Sequence, residues 1–198
     1  MPKSKRPSRI AGKTKSSATP HPEDADGYRL SPAGGPRLRS DIVDAYVFRI
    51  NTRPKSVEFL QLLRTADPLA KTWHPVMGHV ESSETAVACA IRELREELGL
   101  DVNADEAIGL WALEQVHPYY IAPIDSIVLS PRFAVQVRAE WKPRLNDEHT
   151  GLRWVRDRDV AKSFMWPGQI AACTEILSHI VPSRSLARER LRLDPSAL

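Results

Sequence analysis

The sequence predicts a mixed α/β fold, a β-sheet with helices packed on it. Two observations carry this. Stretches rich in β-branched and aromatic residues stand on both sides of a long amphipathic helix. A second amphipathic helix comes after the last of them, so the order β, β, helix, several β, helix emerges.

The elements can be taken in chain order. "DIVDAYVFRI", residues 41–50, is β-branched and aromatic and reads as a strand. "VEFLQLLRT", residues 57–65, reads as a second strand despite its leucines. "TWHPVMGHVE", residues 72–81, holds a proline and a glycine and reads as strand and loop. In the next stretch Val87, Ile91, Leu94 and Leu98 recur on one face of an α-helix. Ser82 or Ser83 is the expected cap at its start, and Gly99 is its glycine stop. "SIVLSPRFAVQVRAEW", residues 126–141, gives one or two strands, and "GLRWVRDRDV", residues 151–160, a short strand and turn. "WPGQIAACTEILSHIV", residues 166–181, opens with Pro167 at a helix start, and Pro182 ends it. "SRSLARERLRL", residues 183–193, reads as a short basic helix. The folded domain is therefore expected over residues 41–182, with residues 183–198 a basic C-terminal helix and tail.

Composition excludes several classes. No run of 18 apolar residues exists, so a spanning helix is not expected. The basic start has no apolar stretch behind it and does not read as a secretory signal. Cys89 and Cys173 lie in no metal-ligand spacing, so they are expected to pack as small apolar groups in a reducing cytoplasm. Charge is uneven. Residues 1–40 hold nine basic and three acidic residues, net +6, and the remainder is net −3. That leader, poor in bulky apolar residues, is expected to be disordered, either solubilising or contacting nucleic acid.

Carboxylates crowd the first helix. Glu93, Glu96 and Glu97 are three and four residues apart and so share a helix surface. Such a group repels itself unless a cation sits among it. Hard oxygen donors select Mg²⁺, Mn²⁺ or Ca²⁺ over softer metals, and Mg²⁺ commonly completes its shell with waters and substrate phosphates. Arg92 and Arg95 can also pair with these acids, so charge alone leaves a solvated acidic face open.

The full spacing goes further. Gly78, Glu84, Arg92, Glu93, Leu94, Glu96, Glu97, Gly99 and Leu100 fill every fixed position of Gly-x5-Glu-x7-Arg-Glu-U-x-Glu-Glu-x-Gly-U, where U is apolar. The stretch resembles the Nudix hydrolase signature. At average residue usage such a match arises by chance about once in 10⁹ starting points. The resemblance implies an α/β/α sandwich around a mixed sheet and cleavage of a phosphoanhydride bond. It implies that Glu93, Glu96 and Glu97 hold Mg²⁺, with Mn²⁺ as a substitute, and that the backbone carbonyl of Met77 faces the metal. By the same resemblance Arg92 orients the glutamates, Glu84 braces the loop, Gly78 and Gly99 serve as backbone positions, and Glu97 and Glu96 act in catalysis.

Glu148-His149 before Trp154, and Trp166-Pro167 opening the last helix, are similar to the branch holding dihydroneopterin triphosphate pyrophosphatases and dATP pyrophosphohydrolases. That likeness makes Glu148 a further metal ligand or base. Dinucleoside tetraphosphate hydrolases share a similar Glu-His element. Trp73, Tyr119, Tyr120, Phe133 and Trp166 are candidates to stack on a base or to pack in the core. Arg132, His117 and His149 are candidates to reach a phosphate or to be structural. The expected activity is hydrolysis of a nucleoside triphosphate-like substrate to pyrophosphate and a monophosphate. The alternatives are a dinucleoside polyphosphate or RNA 5′-end hydrolase, and a non-catalytic nucleotide-sensing module. A homodimer is compatible with either.

Overall fold

The structure is a computed structural model that describes residues 35–67 and 69–197. The expected disordered leader lies, up to residue 34, outside the described residues. The domain is the compact unit Pro36–Leu198.

Two long antiparallel strands begin the domain, β2 (Ile42–Thr52) and β3 (Lys55–Arg64) after the short β1 (Arg37–Arg39). β1 departs from the sequence reading, which places these residues in the leader. It pairs parallel to β8 (Ser126–Val128), which pairs with β7 (Tyr119–Ile121) in a three-stranded sheet. The main sheet adds β4 (Trp73–His74), β5 (Val76–His79), β6 (Ala107–Ala112), β9 (Arg132–Val137) and β10 (His149–Arg156). Its order is β10-β3-β2-β9-β6, with β4 on β3 and β5 on β2. Only the β2/β9 pair in it is parallel, which makes the sheet mixed.

Helix α1 (Ala86–Leu98) covers one face and α3 (Pro167–Glu175), after the short α2 (Val160–Ser163), covers the other. Strand alternation explains the two layers. In β2, Val43, Ala45 and Val47 face α1, while Tyr46 and Phe48 face α3. Leu94 and Leu98 are wholly buried beneath α1, and each such burial contributes about 1.5–3 kcal/mol. α3 runs on through a wider turn at Ile176–Ile180 that buries Ile176 and Ile180.

Two expectations are corrected. The N-cap of α1 is Thr85, whose hydroxyl accepts from the Ala88 N–H at 3.2 Å, not Ser82 or Ser83. Those serines lie in a turn in which the Glu84 N–H donates to the Glu81 carbonyl, and Ser83 takes a left-handed backbone. The C-terminal segment is more than a helix and tail. α4 (Leu186–Arg190) leads into β11 (Arg192–Leu193), which pairs with β6 and completes that side of the sheet. The Trp111 indole N–H donates to the Arg188 carbonyl at 2.8 Å, and the Arg188 guanidinium lies 4.6 Å from the ring centre.

Among the described residues no helix is long and apolar enough to cross a membrane. Both cysteines are free and buried, and burial pushes the Cys89 thiol up to about 12.

Candidate active site

The acidic face is assembled around Arg92. Its guanidinium donates to both Glu84 oxygens at 3.0 and 3.1 Å, to Glu93 at 2.7 Å and to Glu96 at 3.1 Å. A further N–H reaches the His79 carbonyl at 3.0 Å. The other Glu84 contact is the Glu81 N–H, at 3.0 Å. Arg92 and Glu84 thus tie the loop before α1 to the helix, as bidentate charge-assisted bonds do well.

Gly78 and Gly99 have different reasons to be glycine. A Cβ at 78 would run into the Glu93 side chain, so β5 can approach the helix only without one. Gly99 caps α1 in the left-handed region at φ 65°, its N–H donating to the Arg95 carbonyl at 2.9 Å.

Glu97 differs from its neighbours. It sits within the buried stripe of α1 at 1% exposure, and its Oε2 meets no donor. Burial above all, then the charges of Glu93 and Glu148, push its carboxyl up to about 9, while Arg64 opposes them. Glu93 is also raised, chiefly by burial, with Arg92 pulling the other way. Glu148 stands exposed at the start of β10, near enough that its charge bears on both Glu93 and Glu97. Met77 lies in β5 opposite Asp44 in β2.

The fit to a divalent cation can be judged from these groups. Glu93 and Glu96 lean onto Arg92, so no three acidic, histidine or cysteine side chains among the described residues converge as a ready cage. The donor set is all carboxylate, which suits Mg²⁺ bound through a few carboxylates with its remaining waters. The partnerless Glu97 oxygen is the feature a cation would satisfy. The set fits.

Sequence spacing does not reveal a cluster joined to Glu97 through Arg64: Arg64, His74 and His149, the last of which the sequence offers only as a general candidate. Arg64 at the end of β3 has a buried Nε without a partner. Its charge bears on Glu97, His74 and His149. The His74 and His149 rings stand 5.3 Å apart. Each Nδ1 faces an acceptor, the Pro75 carbonyl at 2.6 Å and Asn146 Oδ1 at 3.2 Å, so each carries its proton there and leaves Nε2 bare. Burial first, then His74 and Arg64, hold His149 down to about 4. These side chains meet only because β3, β4 and β10 are neighbours, and no local motif marks them.

The opposite face holds the other candidates. Arg132 lies beside Asp44 across the β2/β9 pair, its Nε 3.4 Å from Asp44 Oδ2. An Nη1–H donates to the Gly168 carbonyl at 2.9 Å. At 3% exposure Arg132 braces the start of α3 and is not an open phosphate contact. Tyr119 is raised by burial and then by Asp44, so it belongs to the same cluster, as does His117 against Gly168. Trp166 directly precedes α3 and is partly buried. Trp73 stands apart from these, its ring beneath the Arg153 guanidinium at 4.3 Å. Phe133 is core on the α1 side, and Tyr120 is exposed and donates to Asp125 at 2.8 Å.

Comparisons with known proteins identify the family and the fold. A family model described as NUDIX domain matches residues 40–172. The mouse asymmetrical bis(5′-nucleosyl)-tetraphosphatase is 31% identical over 118 residues, 55% of this chain and 74% of that protein. A C. elegans Ap4A hydrolase solved as a binary complex superposes with TM-score 0.58 at 19% identity, covering 71% of this chain and 96% of that one. The E. coli dihydroneopterin triphosphate pyrophosphohydrolase superposes with TM-score 0.57 at 23% identity, covering 73% and 98%. At these identities the structural likeness speaks for the fold.

Proposed function

The chain belongs to the NUDIX family of hydrolases, and from that premise we propose that it hydrolyses a phosphoanhydride bond of a nucleoside polyphosphate with Mg²⁺. The observation that carries the reading is the buried Glu97 carboxylate, left without a donor beside three further glutamates. Glu93, Glu96, Glu97 and Glu148 would hold the cation, with the Met77 carbonyl a further ligand and Mn²⁺ a substitute. A divalent cation there neutralises phosphate charge and acidifies a bound water.

The chain's own groups do the rest. Arg92 and Glu84 hold the acids in register. A carboxylate of this face accepts the proton of the attacking water, and Glu97 is the one proposed for that role. Glu96 and Glu148 share the charge at the exposed rim. Arg64 supplies a positive charge facing the same acids. On the α3 face Tyr119 and Trp166 are the proposed contacts for the base or pterin, over a floor braced by Arg132. A cytoplasmic site of action accompanies this reading, supported by two free buried thiols.

The first substrate class is a nucleoside triphosphate or dihydroneopterin triphosphate, yielding pyrophosphate and a monophosphate. The second is a dinucleoside tetraphosphate, favoured by the 31% identical mouse relative that acts on such compounds by name. Purified protein, Mg²⁺ and a panel of dNTPs, NTPs, dihydroneopterin triphosphate, diadenosine tetraphosphate and ADP-ribose separate them by product. Pyrophosphate from a triphosphate supports the first, and a mononucleotide released from the tetraphosphate supports the second. Nucleotide binding without turnover on any substrate would favour the sensing module instead.

A further inference from the structure

A groove of about 500 Å³ wraps the edge strand β10 and the turn into α2, and neither the α1 glutamates nor Glu148 line it. Its charged lining is Arg153, Arg156, Arg158, Asp159 and Lys162. Four cations thus line it against one acid, Arg153 from one face of the edge strand and Arg156 from the other.

These cations are not used up by neighbours. Arg156 shares Glu58 with Arg49 and stands 3.8 Å from it. Arg158 meets Asp159 at 3.6 Å, but both side chains are largely in water, where such a pair holds little. Lys162 is exposed and has no ion pair among the described residues. Arg153 is the most telling. It is partly buried, donates only to neutral oxygens (Gln61 Oε1 at 2.9 Å and the Ser163 carbonyl at 3.2 Å) and lies on the Trp73 ring. Burial lowers its pKa, and among the described residues no carboxylate pairs with it to offset that cost.

Charge on an edge strand also discourages pairing with another sheet. That explains an exposed Arg156. It does not explain Arg153, which is turned inward on an indole where it guards no edge. Three of the four cations are arginines, whose planar forks match phosphate oxygens two at a time.

We propose that this groove binds a chain of phosphate groups, as in the backbone of a single-stranded oligonucleotide or a free linear polyphosphate. Along β10 it begins about five residues from Glu148, on the order of 15 Å at strand rise. It is therefore a second binding surface, and it operates whether or not the carboxylate face turns over.

The test uses the full chain in EDTA with a fluorescent RNA decamer bearing a 5′-hydroxyl, so that no anhydride is present. Anisotropy titrations compare the wild type with R158E/K162E, both at exposed positions, and with K142E/R184E, an exposed pair elsewhere. Melting temperatures confirm that all three fold. Affinity should fall at least tenfold in R158E/K162E only, and the slope of log affinity against log salt should shrink by about 2. Displacement of the RNA by tripolyphosphate would show that the phosphate chain suffices, and failure to displace would assign the site to the nucleic-acid backbone. No binding, equal affinity in wild type and R158E/K162E, or equal loss in both variants would overturn the proposal. Displacement by hexaglutamate as readily as by tripolyphosphate would also overturn it, in favour of an acidic peptide.

Discussion

Two buried carboxylates sit on opposite faces of the same sheet and meet opposite fates. Asp44, 4% exposed, has the Arg132 guanidinium beside its Oδ2, although its Oδ1, like Glu97 Oε2, meets no donor. Burial raises it only to about 6 because Arg132 pulls back. Glu97, 1% exposed, has no cation in contact, only other glutamates and the more distant Arg64, and rises to about 9. Burial is similar, so the guanidinium makes the difference. One acid is consumed in tying β2 and β9 to α3. The other is left electrostatically unfinished, the state in which a protein can accept a metal ion.

The contrast can be broken at its strongest point by Glu97→Gln. Turnover should fall about 10²–10⁴-fold, the usual range for a general base, as measured by phosphate release. A loss below tenfold would mean that Glu97 is as structural as Asp44. On the other face Arg132→Met should leave Asp44 buried and unpaired, costing about 3–5 kcal/mol in urea unfolding. Glu97→Gln in metal-free protein should go the other way and stabilise at neutral pH, because burying Glu97 there requires its carboxylate to take up a proton first, a cost that glutamine does not carry.

Acidity sharpens the comparison further. Both acids have folded pKa values above their unfolded ones, so each favours the fold when protonated and loses that contribution as pH rises. For Asp44 the loss is complete a little above pH 6, and for Glu97 it continues to about 9. His149, held down to about 4, acts in the opposite sense, but only below about pH 6.5. Metal-free wild type should therefore lose melting temperature between pH 6.5 and 9, and Glu97→Gln should not. Saturating Mg²⁺ should erase the difference. Parallel slopes for both proteins in calorimetry would contradict the assignment. The smallest effect is expected at Thr85→Ala, about 1 kcal/mol of stability from the lost cap, with turnover within twofold of wild type.

The acidic face is legible in the sequence because a helix converts spacing directly into proximity. Gly78, Glu84, Arg92 and Gly99 obey the same local logic, and the structure gives each a geometric reason. What spacing cannot supply is burial. Nothing in Arg-Glu-Leu-Arg-Glu-Glu says that Glu97, and not Glu96, turns inward. Arg64 and His74 stay hidden because they reach the site through strand pairing, in which His149 lies opposite Arg64. β6 is hidden because its glycine breaks the β-branched pattern. Gly109 makes room for the folded-over Trp111 ring. The bracing role of Arg132 depends on the parallel β2/β9 register, which joins residues far apart in the chain.

The position of β10 has a consequence for how the protein would fail. Three of the glutamates ride on α1, packed against the core, but Glu148 directly precedes a strand that, among the described residues, is held along one side only, by β3. Edge strands open at a lower free energy than central ones, in local excursions that leave the remainder intact. Amide protons of β10 should exchange with deuterium faster than those of β2. On warming, the site would lose its fourth carboxylate through fraying while the sheet still stood, so inactivation would precede melting. A ligand lying along the same strand would slow both.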